Sequence, residues 1–250
     1  MKKGILIMFM VTCMTVTGSL VYAATEGEKA PAATAATEVA KPEATNTEVY
    51  FSLEQDVFLP KDMIKDKKYP VVFFAHNGGA DKSGWGDFPE QMSKEGFLAV
   101  NVTWKNWDTC NVEAAIEYTL QKYAANIDTN NVVFIGGCHG AKDLLQIMSK
   151  EKLGYTVKTA VILSLSEEDQ SVVDTQKLKH VPILVYYSKN DVLGKYYQDV
   201  TKKIAEQVIT SPKKIIELNE SPHGNDLLTQ ATCKDEVRTN IIKWVKEYTK

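Results

Sequence analysis

The sequence predicts an α/β fold, with a mainly parallel sheet and helices on both of its faces. Three observations predict it. Short apolar runs rich in β-branched residues alternate with amphipathic stretches of helical spacing, the pattern of strand–helix–strand units. The runs are apolar throughout rather than alternating, as strands covered on both faces are. At Asn131 to Leu144 (NVVFIGGCHGAKDL) one such run passes through a glycine turn directly into a helical pattern, with a cysteine at the apex.

Taken in order, Glu48 to Leu59 reads as an opening strand or hairpin, and Tyr69 to Ala75 (YPVVFFA) as a buried strand entered through Pro70. Trp85 to Lys94 reads as a helix, Phe97 to Thr103 (FLAVNVT) as the next strand, and Cys110 to Tyr123 as an amphipathic helix carrying Val112, Ala115, Ile116, Tyr118 and Leu120. Val132 to Ile135 is the strand before the glycine turn. Ala141, Leu144, Leu145 and Met148 recur at helical spacing after it. Val157 to Leu165 and Val181 to Tyr187 are two further buried strands. Lys195 to Ile209 is a helix, Lys213 to Leu218 the last strand, and Asp226 to Tyr248 the closing helix.

Three regions precede or make up this pattern. Met1 to Ala23 has the layout of an export signal: Lys2 and Lys3, an apolar core from Ile5 to Val16, and Val21-Tyr22-Ala23 as a small-residue cleavage site. Cleavage after Ala23 would leave a secreted or periplasmic product without stable membrane insertion, and Cys13 would go with the peptide. The apolar core is short and broken by threonines, which disfavours a membrane anchor. Residues 24–46 are built from Ala, Thr, Glu, Lys and Pro, too few apolar groups to offset the entropy of ordering, so a disordered linker is expected. Residues 47–250 form the globular domain of about two hundred residues, long enough to bury a substantial core. The net charge of -3 and the lack of a basic patch interleaved with aromatics exclude a nucleic-acid partner.

Gly136, Cys138 and Gly140 form G-x-C-x-G, the nucleophile-elbow pattern with cysteine in the usual place of serine. In an elbow the apex side chain stands clear of the sheet edge on a strained backbone. The two glycines leave room where strand and helix pass closely. The following helix aims its N-terminal N–H groups at the thiol, which favours a thiolate and a developing oxyanion. An inert buried cysteine beside a glycine turn is the bland alternative.

With these elements the domain resembles an α/β-hydrolase. Within that superfamily it is similar to the dienelactone hydrolase-like group, some members of which use a cysteine nucleophile. FFAHNGGA at Phe73 to Ala80, FIGGCHGA at Phe134 to Ala141, VYYSKNDVLGKYY at Val185 to Tyr197 and LNESPHGNDLL at Leu218 to Leu228 carry the match, in the family's order. The resemblance implies hydrolysis of small ester or lactone substrates through an acyl-thioenzyme, with no cofactor and no metal. It also implies that His76 is a structural residue of the oxyanion loop. In many relatives a cap domain follows the strand ending at Leu165. The polar stretch before Val181 has no room for one, so an open site without a sizeable cap is expected.

A cysteine nucleophile needs a base near neutrality and an orienting carboxylate, and in this fold they follow in the order nucleophile, acid, histidine. Cys138, Asp191 and His223 supply that order, each just after a strand, at the carboxyl edge where open α/β sheets bind ligands. Asp226 is the rival for the acid, and Asp191 has the alternative of a plain turn residue. His139 is expected to turn its ring away from the thiol and offer its backbone N–H to an oxyanion. Asn77, on the His76-Asn77-Gly78-Gly79 loop, is expected to offer the second N–H. His180 is expected to be solvated. Trp85, Trp104 and Trp107 could line the site or simply pack in the periphery. An exported protein meets an oxidising compartment, so a Cys110–Cys233 disulfide with a free Cys138 is expected. Two other classes stay open. One is a binding protein that keeps the fold without catalysis. The other is a metal or redox site on Cys138, His139, His76 and His223, disfavoured because no C-x-x-C pair exists and adjacent Cys138 and His139 do not easily face one ion.

Overall fold

The computed structural model describes residues 55–61, 63–102, 109–166, 178, 180–208 and 212–250, all within one compact unit. The apolar runs form seven strands: β1 (Gln55–Phe58), β2 (Tyr69–Ala75), β3 (Leu98–Val102), β4 (Ile127–Cys138), β5 (Val157–Leu165), β6 (Ile183–Ser188) and β7 (Lys213–Leu218). They join in one sheet of order β1-β3-β2-β4-β5-β6-β7, with β1 antiparallel to β3 and every other pair parallel. Parallel neighbours need crossover connections, and the helices supply them. They are α1 (Phe88–Lys94), α2 (Thr109–Lys122), α3 (His139–Met148), α4 (Lys195–Gln207) and α5 (Lys234–Tyr248).

Two apolar clusters cover the two faces, as continuous apolar strands require. On one face Val71, Phe73, Val132 and Phe134 meet α2, α3 and α4 through Ile116, Leu144 and Ile204. On the other Val72, Phe74, Val133 and Ile135 meet α1 and α5 through Met92, Val237 and Ile241. Alternate residues of the same strand thus serve opposite cores. Each fully buried Phe, Leu or Ile in these layers contributes about 1.5–3 kcal/mol.

Pro70 leaves its mark on β2. It cannot donate to the ladder, and the pairing of β2 with β4 shifts register between Tyr69 and Val71. Trp85 is buried in the core, edge-on to Phe74 at 5.2 Å, and so belongs to packing rather than to a site wall. Trp104 and Trp107 lie outside the described residues, as do the signal, the linker and the start of the opening strand.

Two expectations need correction. The closing helix does not run unbroken from Asp226. A 3-10 turn spans Gly224–Leu228, and α5 begins only at Lys234. The expected disulfide is not formed, because Cys233 is a free thiol. Its cause is topological. Cys110 lies in the first turn of α2 and Cys233 at the start of α5, and those helices cover opposite faces of the sheet. A disulfide bridges Cα atoms only about 4.4–6.8 Å apart, far less than two helix-on-sheet layers. The Cys110 side chain itself lies outside the described residues. Among the described residues, no helix is long and apolar enough to cross a membrane.

Candidate active site

β4 ends at Cys138 and α3 begins at His139, with no residue between them. The reversal is absorbed by Cys138 itself, at φ 53° and ψ -117°. Such a conformation costs a non-glycine residue on the order of 1–3 kcal/mol, and it holds only where the surroundings over-determine it. Here they do. A Cβ on Gly136 would lie 2.5 Å from the Ala141 Cα, and one on Gly140 would lie 2.2 Å from the Ala75 carbonyl oxygen. The Gly140 N–H also donates to the His76 carbonyl at 3.2 Å, tying the start of α3 to the loop after β2.

The loop after β6 brings in Asp191. Its backbone is laced to the loop after β7: the N–H groups of Lys189, Asn190 and Val192 donate to the carbonyls of Leu218, Glu220 and Ser221 at 2.8–3.0 Å, and the Ser188 hydroxyl donates to the Pro222 carbonyl at 2.6 Å. Across this seam the His223 Nδ1 and Asp191 Oδ2 are 2.7 Å apart, both side chains almost fully buried. The other carboxylate oxygen accepts from the Leu193 N–H at 2.9 Å. Asp191, not Asp226, therefore meets the imidazole. Tyr197 packs edge-on against the His223 ring at 5.2 Å.

Cys138 and His223 line one cleft of about 260 Å³, together with Asn77, Gly78, Asp226, Val192 and Leu193. His223 Nε2 closes no tight hydrogen bond within the described residues, yet thiol and imidazole strongly perturb each other. Burial works against charging either group. At Cys138 the hydrogen bonds and charges of His139 and His223 outweigh it and bring the thiol down to about 6. At His223 the hydrogen bonds to Asp191 and Cys138 outweigh it and raise the imidazole to about 9. Between those values the pair is a thiolate facing an imidazolium.

His139 departs from expectation. Its ring does not turn away: Nδ1 lies 3.4 Å from the Cys138 Sγ. With φ positive at Cys138 the thiol leans over the first turn of α3, where the next side chain can reach it. As the first residue of α3, His139 keeps a backbone N–H that the helix itself does not use.

Asn77 also departs from expectation. Its N–H is engaged, donating to the Asn225 Oδ1 at 2.8 Å. Its side chain returns the bond. The Asn77 Oδ1 accepts from the Asn225 N–H at 2.9 Å, and the Nδ2 donates to the His223 carbonyl at 3.1 Å. The Asn225 amide completes the clamp by donating to the Gly84 carbonyl at 2.8 Å. This pair locks the loop after β2 to the histidine loop 148 residues later. Gly224 (φ 60°) and Gly137 make room for it, since a Cβ on either would come within 2.6 Å of the Asn77 Oδ1. Gly78, the next residue of the loop, also lines the cleft, and its N–H has no partner among the described residues. Sequence reasoning missed Asn225. The one available signal was its place two residues after His223, in a segment that also contains a glycine.

His76, buried beside this loop, has its Nδ1 2.7 Å from the Asn77 carbonyl, and burial holds its pKa low. His180 is exposed.

The chain has the α/β-hydrolase fold. Its structure is similar to a dienelactone hydrolase from Anabaena variabilis (TM-score 0.58, 15% identity, covering 79% of this chain and 93% of that one). It is similar as well to an esterase from the planctomycete Thermogutta terrifontis (TM-score 0.59, 12% identity, 78% and 85% covered) and to a bacterial heroin esterase (TM-score 0.60, 12% identity, 80% and 85% covered). The seven-stranded sheet with its antiparallel first strand, and the lack of a sizeable cap among the described residues, agree with that fold. No family model matches the sequence, and no curated protein matches it.

Proposed function

We propose that this chain is an exported hydrolase of small carboxylic esters or lactones, acting through Cys138, His223 and Asp191 by way of an acyl-thioenzyme. One observation carries it: a strained elbow thiol shares a cleft with an imidazole whose other nitrogen meets a buried carboxylate. Structurally similar proteins include a dienelactone hydrolase and esterases, which favours the same reaction class. The export signal read at Met1 to Ala23 supports a role outside the cytoplasm.

The chemistry follows from the proton positions. The Cys138 thiolate attacks the carbonyl carbon, and the carbonyl π-electrons move to oxygen. The N–H groups of His139 and Gly78 hold that oxyanion, fixed dipoles needing no proton transfer. When the intermediate collapses, the C–O bond to the alcohol breaks and the leaving oxygen takes the proton of His223 Nε2. A thioester remains on Cys138. His223, now neutral, takes a proton from water as its oxygen attacks the thioester. Collapse then expels the thiolate, the acid leaves, and the thiolate–imidazolium pair is restored. Asp191 keeps the proton on Nδ1 and steadies the imidazolium at both stages.

Acid quenching during turnover of an activated acetate ester tests this reading. Peptide mapping should find one acetyl group, on Cys138. Turnover that persists in Cys138→Ala would overturn it. Sequencing the N-terminus of the protein from its native host tests export, with a start at Ala24 against a start at Met1.

A further inference from the structure

Asp226 lines the cleft beside Cys138 and His223, and the reaction above gives it nothing to do. It is half-buried. Its Oδ1 meets the Asn225 amide at 3.5 Å, a long contact. Among the described residues no lysine or arginine pairs with it, and none lines the cleft. Burial raises its pKa and the nearby His223 charge pulls it back. A carboxylate so poorly solvated gains from any counter-charge brought into the cleft.

Another part of the lining has the opposite character. Val192 and Leu193, on the loop that carries Asp191, line the cleft and are 70% and 50% exposed. Tyr196 follows them at 53%. Of the large apolar side chains exposed among the described residues, Val192 and Leu193 line the cleft that holds the nucleophile. Adjacent exposed apolar groups at a cleft mouth mark a surface that a ligand covers. The cleft, about 260 Å³, is smaller than the pockets that hold drug-sized molecules, so the ligand is small.

We propose that Asp226 sets the charge preference of this cleft, taking the ammonium group of a small ester whose hydrocarbon part rests on Val192 and Leu193. The proposal rests on the hydrolase reading above and narrows its substrates. Anionic esters are disfavoured, because Asp226 and the Cys138–His223–Asp191 group together carry net negative charge and no lysine or arginine of the described residues lines the cleft.

Two measurements separate this proposal from the hydrolase reading. The first needs no turnover. Cys138 is modified with two methanethiosulfonates of similar size, one bearing a trimethylammonium and one a sulfonate, and the rates are read by peptide mapping. Relative to a simple free thiol, the cationic reagent should be favoured about fivefold or more, the scale of a partly desolvated charge pair. Asp226→Asn should remove that preference and Asp226→Glu should keep it. The second compares kcat/KM for a trimethylammonio-ethyl ester and its neutral 3,3-dimethylbutyl isostere in the same three proteins, expecting the same order. If neither ester is hydrolysed but charge selection vanishes in Asp226→Asn, the cation site stands and the hydrolase reading falls. If both are hydrolysed at ratios that Asp226→Asn leaves unchanged, the hydrolase reading stands and the assignment of Asp226 is overturned.

Discussion

Cys138 and Cys233 occupy the same place in two helices and have opposite chemistry. Each is a free thiol at the N-cap of a helix, α3 for one and α5 for the other, and neither caps its helix through its side chain. Both therefore sit at the positive end of a helix dipole. Cys138 is nonetheless lowered to about 6, whereas Cys233 is raised, by burial first and then by the Glu220 carboxylate. A helix terminus is worth about 0.3–1 kcal/mol to a nearby charge, less than one pKa unit. It cannot account for two shifts of opposite sign. The neighbours decide: His139 and His223 around one thiol, Glu220 and Glu236 around the other. In this chain the elbow sets its cysteine against imidazoles, which lower it, and the dipole adds little.

That contrast can be broken from either side. The largest effect should come from Cys138→Ala, which removes turnover of an ester substrate, while Cys233→Ala leaves kcat/KM unchanged. Circular dichroism of Cys138→Ala should stay native, because the turn is held by Gly136 and Gly140 rather than by the sulfur. Cys138→Ser should keep part of the activity on simple esters, since the fold commonly works with serine at this position.

His223→Ala should lower kcat/KM on the order of 10²- to 10⁴-fold, the range of a positioned acid–base group. It should also bring the reactivity of Cys138 towards that of Cys233. It leaves Asp191 buried without its partner, a loss of about 3–5 kcal/mol, so a thermal melt belongs with the kinetics. Asp191→Asn should cost less than His223→Ala, because the thiolate and imidazolium still stabilise each other. Asp226→Asn should leave the reactivity midpoint of Cys138 nearly unmoved, since its carboxylate does not bond to His223.

Asn225→Ala removes the clamp without touching the nucleophile. Buried partners lose their bonds at Asn77 and Gly84, which costs about 1–3 kcal/mol each in the least favourable case. We expect a lower melting temperature and a fall in kcat larger than any rise in KM, because the loop bearing Gly78 is no longer fixed to the histidine loop. A variant that melts earlier with unchanged kinetics would show the clamp to be structural alone. A smaller effect is expected from His139→Ala. Loss of its ring should move the Cys138 alkylation midpoint up by about one pH unit, slowing alkylation about tenfold well below pH 6 but only about twofold near neutral pH, and still leave Cys138 the faster of the two thiols.

Much of the fold was legible because the apolar runs are long and uniform. β2, β5 and β7 match the ranges expected from their apolar or flanking residues, and α2 and α4 differ from theirs by one or two residues. The closing helix was misjudged because Asp226, Leu227 and Leu228 keep a helical apolar spacing while the buried turn at Gly224 winds them as a 3-10 segment. The meeting of Cys138, His223 and Asp191 followed from chain order and from their places at strand ends, which the sheet fixes. What escaped was side-chain detail set by tertiary contacts. His139 reaches the sulfur because of one positive φ, and the Asn77 N–H is consumed by an asparagine 148 residues away. No local spacing in the sequence encodes either.

The pH dependence of the reaction has a definite sign. Cys138, lowered to about 6, becomes thiolate as pH rises through that value, and His223, raised to about 9, loses its proton as pH rises through that one. The nucleophile and the proton donor coexist only between them, and the coupled pair titrates as a unit. Ester kcat/KM should therefore rise through about pH 6 and fall through about pH 9. The most direct test reads both thiols in one sample. The protein is pulsed with iodoacetamide across the pH range, and alkylation of Cys138 and Cys233 is quantified by peptide mapping. Cys138 should reach half its limiting rate near pH 6, and Cys233 only above the ordinary thiol range. Two coincident profiles, or a Cys138 midpoint that His223→Ala does not move, would contradict the account.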